Sequence, residues 1–254
     1  FAFEYSFGTA LWYGIFHSVS AFCNAGLDII SGGDSVSLFS GNAFVLVVLA
    51  LLIVAGGLGF IVVGDVVKTH KWKKLRIDSK IVLSVSGVLL LVGTLVYMIF
   101  EYNNPMTLGN MSFGNKLANA FFFSASTRTA GFASFGVGEL SPVSRTVTIA
   151  LMFIGGCAGS TAGGLKVSRA MILLRTIRRE INRLVHPRRV TAVRCDGKAL
   201  GSEVQRGVSI YFALYCLCIL VAFLCLSGEP FTLETNLSAV VSCFNNVGPG
   251  LGAV

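Results

Sequence analysis

Residues 119–135 read NAFFFSASTRTAGFASF, and the six residues Thr127–Phe132 inside that stretch decide how the rest of the chain is read. Two other stretches echo it, SVSAFCNAGLDII at 18–30 and VVSCFNNVGPGLG at 240–252. Aligned without gaps, Gly26, Gly131 and Gly248 fall in register. Asn24, Thr129 and Asn246 then stand two places earlier, and Ala25, Ala130 and Val247 one place earlier, while Leu27, Phe132 and Pro249 follow. Each copy comes after an apolar segment of about a dozen residues, too short to cross roughly 30 Å of hydrocarbon. A short helix running into a Gly-bearing extended loop, repeated, is the pattern of a cation-selective re-entrant pore loop. A dehydrated cation needs several oxygens, which backbone carbonyls supply when an extended chain aims them inward. That geometry calls for residues able to take φ > 0, which is the use of one Gly per loop. The helix before each loop also turns its negative dipole end toward the cation. The simpler reading, Gly turns between helices, does not account for three glycines in register behind matching short helices.

Composition places the chain in a membrane. Of its 254 residues 54% are hydrophobic and only 13% charged, with a mean hydropathy of +0.76, against roughly 25% charged residues in soluble domains. A net charge of +8 would suit a nucleic-acid binder, but the distribution of that charge argues otherwise. Six of the 20 Lys and Arg lie between Lys68 and Lys80, and eleven between Lys166 and Arg206. Two basic loops on one side of an apolar chain form the positive-inside pattern, which needs no polyanion. The seven Cys, without a CxxC pair, read as small buried hydrophobes. Phe1 begins mid-pattern with no basic leader, and we read the chain as a fragment of something longer.

The order of segments follows from lengths. Leu11–Cys23, Lys116–Ser126 and Thr232–Phe244 are the expected short helices. Asn42–Gly64, Ile81–Phe100, Thr146–Leu165 and Gly207–Gly228 are the expected spans, at 1.5 Å rise per residue. Residues 1–67 then hold a pore helix, its loop and a following span; 80–184 a complete span–pore helix–loop–span unit; 185–206 a basic cytoplasmic linker; and 207–254 a span, pore helix and loop. Within the linker, Asp196-Gly197 marks the turn of a small hairpin over 190–200. The basic segments 68–80 and 166–206 are expected in the cytoplasm. No His cluster, HExxH or Ser-His-Asp set is assembled, so an enzyme has no residues to use.

Two further features stand out. Arg128 sits inside the second loop, where a charge is costly at membrane depth and is normally paired or wetted. Lining a cation path, it would repel the ion. A supporting role behind the loop, donating to carbonyls or to an acid such as Asp28 or Glu139, is the expectation. Inside the span Thr146–Leu165, the run 155–164 reads GGCAGSTAGG. Gly155, Gly159 and Gly163 satisfy small-xxx-small packing. Gly156 and Gly164, with Ser160 and Thr161, exceed what packing needs, and irregular backbone at this depth belongs where it is buried or lines a cavity. We read it as a flexible constriction or gate below the filter. Gly56-Gly57-Leu58-Gly59 is milder and reads as packing. The basic stretch 166–206 could be a solvated face, a lipid contact or a docking surface.

At these residues the chain resembles the membrane subunit of the Trk/Ktr/HKT family of K⁺ transporters, of the TrkH type. FHSVSAFCNAGLD, STRTAGF, FIGGCAGSTAGGLKVSR, VHPRRV and NNVGPGLG carry the resemblance, which runs from about residue 11 to the end. It implies repeated M1–pore helix–filter loop–M2 units in a K⁺-channel-like pseudo-fourfold arrangement, with one filter Gly in each of four repeats. It implies that 155–164 is an intramembrane gating loop. It also implies a homodimer and a cytosolic ring of nucleotide-binding regulatory subunits docked on the cytoplasmic face. One Gly per filter, where K⁺ channels have two, implies modest discrimination against Na⁺. The expectation is an all-α membrane protein of a bacterial inner membrane that takes up K⁺ through filter carbonyls, without a covalently bound cofactor. A non-conducting membrane scaffold or receptor-like subunit is the alternative.

Overall fold

The computed structural model describes residues 6–30, 35–186, 194–195, 198–199 and 201–252. Among them, short apolar helices alternate with long ones. Helix α1 (Phe7–Phe22) begins at Ser6, whose side chain accepts from the Thr9 amide. It leads through the first loop to α2 (Ala43–Leu58) and α3 (Phe60–Thr69), and α4 (Ile77–Phe100) returns. A second short helix, α5 (Phe113–Ser126), precedes the second loop, and α6 (Pro142–Phe153) and α7 (Val167–Val185) follow. The strands β1 (Arg194–Cys195) and β2 (Lys198–Ala199) pair antiparallel, with Arg194 opposite Ala199 and Cys195 opposite Lys198. Their turn, Asp196-Gly197, falls outside the described residues, as do residues 31–34 and 187–190. Helix α8 (Ser202–Leu226) and the short α9 (Leu233–Phe244), capped by Thr232, complete the order.

At 1.5 Å per residue, α4 and α8 reach about 36 and 37 Å, enough for a bilayer, whereas α1, α5 and α9 reach only about 24, 21 and 18 Å. On α4, Val88, Leu91, Val92, Leu95 and Ile99 are exposed at helical spacing, as are Ile210, Leu214, Leu217, Val221 and Leu224 on α8. In water such stripes would be a liability; against lipid they are the expected outer face.

Two of the four expected spans are not continuous helices. The stretch read as one span from Asn42 to Gly64 is broken at Gly59, where α2 and α3 meet at a bend of 98°. Gly59 has φ 77° and ψ 151°, which a side chain would not tolerate. The stretch Thr146–Leu165 is helical only to Phe153; its glycines release the chain into a non-helical loop that rejoins a helix at Val167. The cysteines also differ from expectation. Cys157 is buried, but Cys216, Cys218 and Cys225 are exposed along α8, so they face the surroundings rather than the core. A membrane supplies the apolar contact there that a soluble protein would find inside.

Three apolar clusters stand behind the loops. Leu46, Leu49 and Ile53 of α2 pack on Ala21, Phe122, Ala125 and Phe132. Tyr97, Phe123, Phe135, Leu140 and Leu151 form the second, and Met152, Tyr215, Ile219, Val241 and Val247 the third. Helix α5 is central, packing on both α2 and α4.

At the end of α4, the fully buried Glu101 holds the outer connections together. It accepts from the Ser141 amide at 3.0 Å and hydroxyl at 2.7 Å, from Asn104 Nδ2 at 2.7 Å and from Thr107 Oγ1 at 2.8 Å. Burial alone would raise its pKa, but hydrogen bonds from Ser144, Ser141 and Asn104 outweigh it and hold the carboxyl below its ordinary value. A depressed carboxylate stabilises the fold above the unfolded-state pKa of about 4.3, and that stability is lost as pH falls through the folded value. Glu101→Gln should cost about 3 kcal/mol at neutral pH, because an amide presents donors to donors. The wild type's unfolding midpoint should drop below about pH 4, and the variant's should lack that component. Thermal unfolding of both proteins across this range checks it.

Candidate functional site

Each short helix ends in a loop with the same unusual backbone. Among the described residues, positive φ at a non-Gly position occurs at Asn24 (52°), His70 (49°), Thr129 (80°) and Asn246 (55°). Three of these four are the residues aligned two places before the loop glycines. Gly26, Gly131 and Gly248 follow at 65°, 86° and 114°, and the residue between does not share the sign. Asparagine tolerates this region; Thr129 is β-branched and is held there against strain. Alternation of this kind turns successive carbonyls to the same side of an extended chain.

The loops lie against one another. A methyl group built on Gly26 would sit 2.3 Å from the Ala130 carbonyl oxygen, and one on Gly131 would sit 2.0 Å from that of Val247. The second loop therefore sits between the first and the third, at separations that only Gly allows. Serines on the short helices tie the strands down. Ser20 Oγ donates to Leu27 O at 2.9 Å, Ser126 Oγ to Phe132 O at 2.5 Å, and the Gly248 amide donates to Ser242 Oγ at 2.9 Å. The carbonyls of Leu27 and Phe132 are thus turned to the helices, while their side chains differ: Leu27 is exposed and Phe132 fully buried. Ala25 is exposed, Val247 is buried and Pro249 is half-buried.

Beneath the loops lies the stretch 154–166. A short parallel pairing closes it: the Gly155 amide donates to Leu165 O at 3.1 Å, Leu165 N to Phe153 O at 3.2 Å, and Val167 N to Gly156 O at 3.1 Å. Its interior is anchored on the broken helix. The Cys157 amide donates to Gly57 O at 2.9 Å and the Thr161 amide to Gly56 O at 3.4 Å. The break at Gly59 leaves the Gly57 carbonyl without a helical partner and the Gly56 carbonyl with only the Gly59 amide, at 3.3 Å, so Gly56 to Gly59 do more than pack. Ser160 Oγ donates back to Cys157 O at 2.7 Å, and Lys166 Nζ to Ala162 O.

All three loops touch this stretch. Asn24 Nδ2 donates to Thr161 Oγ1 at 2.8 Å, and Thr161 Oγ1 donates to Phe22 O at 3.0 Å. Arg128 donates to Gly155 O at 3.1 Å and to the Ser86 carbonyl and hydroxyl at 3.3 and 3.2 Å. No acid is among these partners, so of the two kinds expected for Arg128 the carbonyls hold. It also sits at the C-terminal end of α5, where the helix dipole favours a cation. On the third side, a methyl on Gly163 would lie 2.4 Å from Asn245 O, and one on Gly164 3.2 Å from Asn245 Oδ1. Gly159 reaches the bend, its carbonyl oxygen 2.8 Å from where a Cβ on Gly59 would stand.

Sequence reading missed three supports. Asp28, just beyond the first loop, is held by the buried His17: Nε2 lies 2.8 Å from Oδ1, and Nδ1 donates to Tyr13 O at 2.7 Å. The Ile30 amide donates to the same Oδ1 at 2.7 Å. Tyr215 Oη donates to Asn245 Oδ1 at 2.6 Å, and the Ser238 hydroxyl accepts from the Leu251 amide at 2.9 Å. A lone His on a pore helix gives no signal unless its spacing to Asp28 is weighed as a contact across the turn. His17→Phe leaves Asp28 Oδ1 with only the Ile30 amide and should cost about 1–3 kcal/mol, read as a lowered unfolding midpoint.

Short helices running into mutually packed loops, with long apolar helices around them, define an all-α membrane protein. The family model for TrkH, described as a cation transport protein, matches residues 4–254, and the chain belongs to that family. It is 37% identical over 255 residues to the potassium/sodium uptake protein NtpJ of Enterococcus hirae, covering 98% of this chain and 54% of that protein. It is 35% identical over 252 residues to the Ktr system potassium uptake protein B of Vibrio alginolyticus, covering 96% and 53%. The crystal structure of the potassium transporter TrkH from Vibrio parahaemolyticus superposes with a TM-score of 0.81 at 27% identity, over 95% of this chain and 51% of that one. The chain spans about half the length of the relatives it matches.

Proposed function

We propose that this chain supplies three sides of a K⁺ uptake pathway in a pseudo-fourfold ring, the remaining side belonging to the rest of the protein. The supporting observation is the packing of the three loops, with left-handed backbone at Asn24, Thr129 and Asn246 and again at each glycine. Carbonyls of Asn24 to Gly26, Thr129 to Gly131 and Asn246 to Gly248 would replace the ion's hydration shell. Those of Leu27 and Phe132 contribute less, being taken by serines. The stretch Gly155–Gly164 serves as the gate, since it lies against all three loops and is held to them and to the broken helix by a few hydrogen bonds. The relatives' names, potassium uptake and potassium/sodium uptake, support K⁺ as the cargo with Na⁺ as a poorly excluded competitor. Family membership supports a homodimer controlled by a cytosolic nucleotide-binding ring, for which the basic segment 166–206 is the docking surface.

The test is flux through the complete protein in liposomes, driven by K⁺ and then by Na⁺, with and without the cytosolic partner. K⁺-preferring flux supports the pathway. No flux of either ion with the partner supplied would remove it and leave a membrane scaffold.

A further inference from the structure

Between the first filter loop, the second filter loop and the gate stretch lies a cavity of about 20 Å³, walled by Asn24, Ile53, Gly57, Ser86, Arg128 and Gly156. Two polar atoms of its wall residues are buried without a partner, Asn24 Oδ1 and Arg128 Nε. Leaving either unsatisfied costs about 1–3 kcal/mol, more for the charged one. The amide of Asn24 cannot be turned over to relieve this. Its Nδ2 donates to Thr161 Oγ1 and lies 3.5 Å from the carbonyl oxygens of Phe22 and Ile53, where an oxygen would be repelled. One lone acceptor and one lone donor therefore belong to side chains that wall the same small cavity.

The chemistry of those two atoms selects the occupant. A cation is disfavoured by the guanidinium and an anion by the amide oxygen. A water accepts from Nε and donates to Oδ1, and the space exceeds the roughly 10–15 Å³ that one water needs. We propose that a single bound water occupies this cavity and closes the chain Thr161–Asn24–water–Arg128–Gly155. The gate stretch is then gripped at two points, from two filter loops, by one continuous hydrogen-bonded unit. Neither grip can be released without disturbing the other, so a movement of the gate stretch at Thr161 is felt at Arg128 and at the strained Thr129 beside it.

This site does not depend on which ion the filter carries, and its test needs no flux. A density map of the complete protein at about 2 Å should show a spherical peak within about 3.2 Å of both Asn24 Oδ1 and Arg128 Nε. A direct bond between the two atoms, or well-defined side chains without a shared peak, would overturn the proposal. Thermal unfolding of the complete protein in detergent gives an independent reading, using Asn24→Leu, Arg128→Lys and the double variant. Arg128→Lys keeps the charge but puts no donor at the Nε position. The double variant should lose clearly less in midpoint than the sum of the singles, because either change alone already expels the water. Additive losses would overturn the bridge; if a variant does not fold, the map decides.

Discussion

Gly131→Ser should abolish the preference for K⁺ over Na⁺ and lower K⁺ flux about tenfold or more. The residue has φ 86°, where a side chain costs roughly 1–2 kcal/mol. The greater obstacle is steric. The new Cβ would start 2.0 Å from Val247 O, so the second and third loops must part by more than an ångström to reach ordinary contact at 3.4 Å. Overpacking of this kind costs about 1–3 kcal/mol, and 1.4 kcal/mol is already a factor of ten. Because the strain falls on the carbonyls that would surround the ion, discrimination should go before folding does. Paired K⁺ and Na⁺ flux on the variant in liposomes decides it, and a retained preference would mean that these loops are not the filter.

The second large effect is expected at Gly59, at the bend between α2 and α3. With φ 77° and ψ 151° it occupies a region essentially reserved for Gly, costing a side chain about 1–3 kcal/mol. A Cβ there would also stand 2.8 Å from Gly159 O. Gly59→Ala should therefore open the bend, withdraw the Gly56 and Gly57 carbonyls from Thr161 and Cys157, and loosen the gate stretch. Flux without the proposed cytosolic partner should rise severalfold while the unfolding midpoint falls. A lowered midpoint with unchanged flux would assign the bend to packing alone.

How far each feature was legible depends on whether its cause is local. The three Gly-bearing loops could be read because a glycine at the end of a short apolar helix is a local demand, repeated three times in register. The long helices α4 and α8 could be read because burial in lipid needs only length and the absence of charge. The break between α2 and α3 was not legible. Gly59 looks like Gly57 in sequence, and only the approach of Gly159 O and the pull of two amides on the freed carbonyls distinguish them. Likewise Arg128 could be recognised as a charge that needs partners, but its choice of Gly155 O and Ser86 over an acid is a matter of distance in the fold.

The amino-acid sequence by itself determined the membrane class, the short helix–loop repeats and the positions of the three loop glycines, because hydrophobic length and backbone sterics act within a few residues. The tertiary structure alone decided the order in which the loops pack, the fold of the stretch 154–166 onto a broken helix, and the pairing of His17 with Asp28. It also decided the cavity that Asn24 and Arg128 share. Those depend on carbonyls and amides meeting across up to a hundred or more residues of chain, where only the packed backbone fixes which group is left to receive which donor.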